Sequence, residues 1–422
     1  ILHYAASLIP EITSSPQDID DAMKLGFNWI RGPFEIIDAL GKNIVIELFK
    51  ENGLNTPSSF DCFPFYRVEK NNLLVSNYSK SSENKYELQP IILPNKAIRF
   101  HLERKKLKPI FENQSASLFS INDKYRLIEF HSKANTLDNF SMDVVNAACN
   151  DHGDGIIVHN DAQHFSSGVN LNAFLSLIRE KDWSGIDSFL IKFQQAVRSL
   201  KFLSVPVVGA PSGMAIGGGF EVLLHCDKII AHSNSVLGLV EAGVGLIPGG
   251  GGVKETFLRC IESLEKPEDA SWKTWMQIGY GQTGTSPERS SELLYYLPER
   301  DQTEMNRDYL INSSISAIEA INQKGYSKPM LKNITLPGNS ILSKMEEFMD
   351  NGIEKGMFYK HDKIVAMQVA SVVVNNDEDK NLTLNEDDLF ERERKAFINL
   401  AKTQPTLDRI SALIEKGINL RN

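Results

Sequence analysis

Cysteine is scarce, with four residues (Cys62, Cys149, Cys226 and Cys260) in a chain of 422. None falls in a CxxC spacing, so neither a disulfide framework nor a zinc ribbon is expected. The thiols read as reduced and the protein as cytoplasmic. Long apolar runs are missing too: none reaches the roughly 18 residues that span a bilayer. The stretch 205–220 is interrupted by Pro206, Pro211 and Ser212. Runs of one charge sign are also lacking. Lys and Arg number 45 against 54 Asp and Glu, a net charge of −9 spread along the chain, which excludes the basic footprint of a nucleic-acid or membrane-surface binder. There is no initiator methionine and no signal-peptide layout. The chain opens on ILHYAASLIPEI, already in an amphipathic pattern, from which we expect further sequence upstream.

What is present is enough apolar residue to bury cores, over a length that suits two to four domains. Residues 1–55 read as helices. Leu2, Ala5, Leu8 and Ile12 recur at helical spacing, Ser15 and Pro16 make a start signal, Gly26 a stop, and Gly32, Pro33 and Gly41 punctuate the next helix. Residues 56–110, rich in proline and aromatics, read as a connecting segment with short strands. From 111 to 300 the pattern becomes α/β. SLFSI and YRLIEFH flank a turn at Asn122–Asp123, and GIIVHN, VPVVGAP and KIIAHS read as further strands alternating with helices. Residues 301–422 read as a helical region, with Pro337–Gly338 as a break and Thr383, Asn385 or Asp387 available to cap the FERERKAFINLAK helix.

The chemistry concentrates in VPVVGAPSGMAIGGGFEVLLHCDKIIAHS. A strand ends near Pro211, a tight turn follows at Gly217, Gly218 and Gly219, and a helix starts at Phe220–Glu221. N–H groups at a helix start point outward with the positive end of its dipole, and glycines let a ligand approach closely. The alternative is a plain flexible turn with Glu221 as an ordinary first-turn acid. Two other segments bear on the choice. HFSSGVNLNAF follows the strand GIIVHN and could offer a second N–H donor, and VLGLVEAGVGLIPGGGG puts Glu241 in a glycine-rich loop. Two donors and two carboxylates are what addition of water to an enoyl thioester requires: donors for charge developing on the thioester oxygen, carboxylates to hold water and move protons.

In this order and spacing the three segments resemble the crotonase (enoyl-CoA hydratase/isomerase) superfamily. The resemblance implies an α/β fold, a crotonase-like spiral of ββα units flanked by helical domains, and hydration of trans-2-enoyl-CoA to 3-hydroxyacyl-CoA. It places the oxyanion-hole N–H groups at Val169 and Gly218, with Ser167, Gly168, Gly217 and Gly219 in the substrate-binding loops. Glu221 would deprotonate the water and Glu241 would exchange a proton with substrate C2. Val169 stands where alanine is usual. Asn170 stands where aspartate is usual, a change expected to loosen the loop.

The flanks extend the resemblance. EITSSPQDIDDAMKLGFNWIRGPFEIIDALG is similar to the helical C-terminal domain of 3-hydroxyacyl-CoA dehydrogenases, and the tail to the end of bacterial multifunctional fatty-acid β-oxidation proteins. These imply a parent protein that uses NAD in a preceding domain, with coenzyme A thioesters as substrates and a thiolase as a possible partner, and no metal. GYGQTG at 279–284 fits GxGxxG but follows no convincing strand, so no dinucleotide is expected there. His152, His159 and His164 read as strand-end histidines rather than metal ligands. Double-bond isomerisation, which generally uses one carboxylate, and a non-catalytic acyl-CoA-binding or scaffolding subunit are the rival readings.

Overall fold

The computed structural model describes all residues except 82–85, 377 and 379. It divides into two units, Ile1–Lys108 and Pro109–Asn422.

In the first unit, the helices Leu2–Ser7, Pro16–Phe27, Pro33–Leu40 and Lys42–Glu51 precede an antiparallel sheet of Tyr66–Glu69, Asn72–Tyr78 and Tyr86–Pro90. Ser15 caps its helix, its Oγ accepting from the N–H of Gln17. The stop differs from expectation. Gly26 lies inside the helix, and Asn28 takes the left-handed conformation (φ 55°) that ends it, a position asparagine tolerates better than most residues. Residues 56–110 are more than a connector, because Phe60, Phe65, Tyr66 and Val75 share one core with Phe34, Ile37, Val45 and Phe49. Asp20 ties the layers together, accepting from the N–H groups of Phe34 (2.8 Å) and Glu35 (3.0 Å) and from the Tyr66 hydroxyl (2.8 Å).

The second unit is built on a seven-stranded sheet. From one edge it runs Gln302–Glu304, Lys228–His232, Val207–Ala210, Ile156–His159, Tyr125–Phe130, Ala116–Ile121 and Phe111–Glu112. The five strands from Gln302–Glu304 to Tyr125–Phe130 are mutually parallel and the last two antiparallel. Asn122 and Asp123, both at positive φ (52° and 57°), make the tight hairpin turn, as two-residue hairpins favour. The two central parallel strands are buried throughout, at every residue of Ile156–His159 and Val207–Ala210, as a sheet covered on both faces demands.

The ββα unit shows twice. Val207–Ala210, Met214–Ile216 and the helix Gly218–Leu224 make one; Lys228–His232, Val236–Gly238 and the helix Gly252–Ser263 make the next. The short strands pair with each other in a second sheet, Val236–Gly238 parallel to Met214–Ile216. The helix Trp183–Lys201 covers the core with Ile186, Phe189, Leu190, Phe193, Val197 and Leu200, a stripe at helical spacing.

Residues 301–422 belong to this unit. The Trp275 indole donates to Ala366 O (2.8 Å), Ser271 Oγ to Val373 O (2.8 Å), and Arg198 grips Asp387 with two nitrogens. Asn385 is the residue that caps the helix Glu386–Ala401, accepting from the Asp387 N–H at 2.8 Å.

Candidate active site

Two loops meet where the sheets end. The first, 160–170, follows the strand Ile156–His159. It is pinned on one side by Ser166, whose N–H donates to Met214 O (3.0 Å) and whose carbonyl accepts from Ile216 N (3.1 Å). On the other side Leu137 N donates to Gly168 O and Asn170 N to Leu137 O, both at 2.9 Å. Gly168 sits at φ 93°, a conformation that favours glycine. Thus held, the Val169 N–H donates to no group among the described residues.

The second loop is the turn into the helix Gly218–Leu224. Gly217 N donates to Gly238 O (2.9 Å), and Gly217 takes φ 54°. The Gly218 N–H, first in its helix, has no intrahelical acceptor. The two donors are neighbours: a Cβ built on Gly168 would lie 3.5 Å from Gly218 N, and one on Gly218 would lie 3.4 Å from Val169 Cγ1.

Val169 and Gly218 line a cavity of about 420 Å³ together with Ser167, Gly168, Gly217 and Glu241; Tyr280, Leu413, Asn419 and Arg421 form other parts of its wall. Of the residues singled out in the sequence, Gly219 and Glu221 are the two outside this lining. Gly219 packs on the loop instead, since a Cβ there would meet Ser166 Cβ at 2.4 Å. Glu221, buried at 2% exposure, turns its Oε1 toward the glycine loop, accepting from the N–H groups of Gly250 (2.7 Å) and Gly252 (2.8 Å).

The carboxylates differ in their partners. Burial pushes Glu221 up to about 7 against the opposing pull of the Gly252 and Gly250 N–H groups. Glu241 is pushed to about 8 by burial, with the charge of Glu221 adding to it. Among the described residues no side chain or neighbouring segment gives either Glu241 oxygen a hydrogen bond, and both are buried. Buried polar groups normally find partners, so this exception beside two unengaged N–H donors marks where a ligand or water would bind. Deprotonating one acid discourages the other, the arrangement that lets one act as base while its neighbour stays protonated.

Asn170 does not leave the loop loose. Its side chain caps the helix Leu171–Glu180, accepting from Asn172 N (3.1 Å) and Ala173 N (3.4 Å), and asparagine caps about as well as aspartate.

Three site features carried no motif in the sequence. Phe193 wedges behind the site, 3.2 Å from a Cβ on Gly218 and 2.6 Å from one on Gly250. Tyr295 buries its hydroxyl without a partner and is pushed up by burial and by Glu241. The C-terminal region braces both carboxylate-bearing loops. Arg409 donates to Ala242 O (3.3 Å) and Thr406 Oγ1 to Gly245 O (2.8 Å), while Glu393 accepts from Gly251 N (2.8 Å) and Lys254 N (3.1 Å). Helical periodicity would mark these residues only as core positions.

Tyr280 and Gly281 of GYGQTG line the cavity just past the end of the helix Pro267–Gly279, not at a helix start. His159 is buried with Nδ1 2.9 Å from Ala210 O, and His164 Nδ1 accepts from Met214 N at 3.2 Å. Among the described residues no group of His, Cys, Asp or Glu is arranged to hold a metal.

A parallel-sheet scaffold thus brings two backbone donors beside two buried carboxylates, and residues 127–262 match the enoyl-CoA hydratase/isomerase family. Residues 1–68 match the 3-hydroxyacyl-CoA dehydrogenase, C-terminal domain, family. The chain is similar along its whole length to a probable 3-hydroxyacyl-CoA dehydrogenase of Bacillus subtilis, 29% identical over 100% of this chain and 54% of that protein. It is also similar to a putative fatty acid oxidation complex trifunctional enzyme of Rickettsia prowazekii, 27% identical over 97% of this chain and 51% of that protein. The chain therefore spans about half the length of these relatives. Among solved structures, an enoyl-CoA hydratase from Bacillus halodurans aligns over 71% of this chain and 100% of its own, at 18% identity and a TM-score of 0.49.

Proposed function

We propose that the chain hydrates trans-2-enoyl-CoA thioesters to 3-hydroxyacyl-CoA, as one activity of a fatty-acid oxidation enzyme. The observation that carries the reading is the unpartnered, buried Glu241 carboxyl beside the free N–H groups of Val169 and Gly218, with Glu221 close enough for its charge to raise Glu241. The thioester oxygen takes the two N–H groups. Glu221, ionised, accepts a proton from water as the water oxygen bonds to C3. The C2=C3 electron pair moves toward the thioester, and the enolate oxygen gains charge against the two donors. Each such donor is worth about 2.7–4 kcal/mol in comparable oxyanion holes. Glu241, protonated, gives its proton to C2. One water is consumed, no electron leaves, and nothing in these steps calls for a metal or NAD.

The relatives named 3-hydroxyacyl-CoA dehydrogenase suggest what consumes the product: oxidation of its new alcohol with NAD as hydride acceptor. A thiolase acting on the resulting 3-ketoacyl thioester would be the next partner. No described helix is long and apolar enough to cross a membrane.

The test is the loss of conjugated-enoyl absorbance when the protein meets crotonyl-CoA. Turnover that falls by about 10²–10⁴-fold in Glu221→Gln and in Glu241→Gln is expected, the range typical of a lost acid–base group. A folded parent that binds the thioester without turning it over would remove the catalytic reading and leave an acyl-CoA-binding role. Migration of the double bond in a 3-enoyl-CoA, without hydration, would make the protein an isomerase.

A further inference from the structure

The loop 249–252 is held from two sides. Glu221 takes the N–H groups of Gly250 and Gly252, and Glu393, from the helix Glu386–Ala401, takes those of Gly251 and Lys254. Successive backbone donors thus alternate between two carboxylates that lie 172 positions apart in the sequence. Gly251 at φ 105° makes the alternation possible, because a left-handed residue reverses the direction of the next N–H. Glu393 is fully buried, so no solvent competes for the N–H groups it accepts.

We propose that Glu393 is a positioning residue for the reaction: by fixing the Gly251 and Lys254 N–H groups it aims the Gly250 and Gly252 N–H groups at Glu221, where they favour the ionised form that accepts a proton. This rests on the reading of Glu221 as the base. Glu393 itself is held well above the usual carboxylate range by burial first and by Glu221 second, so it stays protonated while Glu221 is ionised.

The other charges around Glu393 form a buried cluster. Lys254, beside Glu393 on the glycine-loop helix, pairs with Glu255. Glu255 in turn meets Lys201 of the helix Trp183–Lys201 (2.7 Å) and approaches His225 Nε2 (3.4 Å), and Lys201 meets Glu386 at 2.6 Å. His225 stacks on Phe390, and Arg394, next to Glu393, bonds Gln194. The two lysines offset Glu255 and Glu386, so the Glu221–Glu393 repulsion is not simply cancelled.

The experiment compares the full chain with Glu393→Gln and Glu393→Asp on crotonyl-CoA across about pH 5 to 9. In Glu393→Gln, kcat falls by about ten- to a hundredfold, the worth of a charged hydrogen bond. KM changes by less than about threefold, and the rising limb of the pH profile moves to higher pH, because misaimed Gly250 and Gly252 N–H groups no longer pull Glu221 down. Glu393→Asp keeps a carboxyl to accept the Gly251 and Lys254 N–H groups, so it loses less kcat and leaves the limb nearer its parent position. A folded Glu393→Gln with parent kcat and an unmoved limb overturns the proposal. So does an equal loss in both variants with no movement of the limb, the signature of a brace that is merely structural. Should neither variant fold, NMR titration of glutamate side-chain carboxyls in the parent and in Glu221→Gln decides. Neutralising Glu221 is expected to lower the titration of two other carboxyls, Glu241 and Glu393; a shift in one alone overturns the proposal. That readout does not depend on turnover, so a parent that never hydrates crotonyl-CoA defeats the hydratase reading separately.

Discussion

A buried carboxyl that no other described segment hydrogen-bonds costs a fold on the order of 1–3 kcal/mol, and Glu241 is in that position. Its folded pKa, about 8, lies above the 4.5 of an unperturbed glutamate. A raised value means that the unfolded chain gives up the proton first. The group's stability contribution is therefore complete below about pH 4.5 and is lost as pH rises to about 8, with Glu221 acting in the same sense up to about 7. Thermal unfolding of the parent should move to lower temperature across that window. Glu241→Gln should flatten this dependence and melt above the parent at about pH 8, while losing turnover. If it melts below the parent there, burial is not what holds the Glu241 carboxyl up. The same two groups set the activity profile. On the proposed mechanism hydration needs Glu221 ionised and Glu241 protonated, so kcat should rise through about pH 7 and fall through about pH 8.

At the scale of elements, the site depends on how closely a loop and a helix start approach each other. Gly219 is the contact: any Cβ would strike Ser166 Cβ at 2.4 Å, and Ser166 is itself locked to Asn135 O (2.7 Å) and to the strand Met214–Ile216. Gly219→Ala should cost about 1–3 kcal/mol of stability, as overpacked cores do, read from urea unfolding. It should also lower kcat by separating the Val169 and Gly218 donors. A variant with unchanged midpoint and kcat would show that the loop has slack. The glycine-rich run was legible in the sequence as a place of close approach. Which glycine meets a ligand and which meets a neighbouring loop was not, because the pattern GGG is the same for both and the partner surface, Ser166, lies more than fifty positions away.

At the scale of the whole molecule, every site residue lies between 109 and 422, and the C-terminal helices hold the carboxylate loops through Arg409, Thr406 and Glu393. The segment 109–422 expressed alone should therefore fold and hydrate crotonyl-CoA at close to the full chain's kcat. The segment 109–300 should not fold cooperatively, since it would expose Trp275, which packs on Phe348 and donates to Ala366 O, and the part of Trp183–Lys201 that packs on the helix Glu386–Ala401. A well-folded, active 109–300 would contradict the bracing described here. The sequence alone determined the local decisions: the strands around GIIVHN and VPVVGAP, the hairpin at Asn122–Asp123, the caps at Ser15 and Asn385, and the positions of Glu221 at a helix start and Glu241 in a glycine-rich loop. Each follows from side-chain size, φ preference or hydrogen-bonding within a few residues. Only the tertiary structure decided that 56–110 joins the first core, that 301–422 completes the second, and that Glu393 and Phe193 stand at the site. Those outcomes depend on burial between distant segments, and a buried glutamate or phenylalanine on a helix carries the same letters whether it faces a core, a loop backbone or a reacting centre.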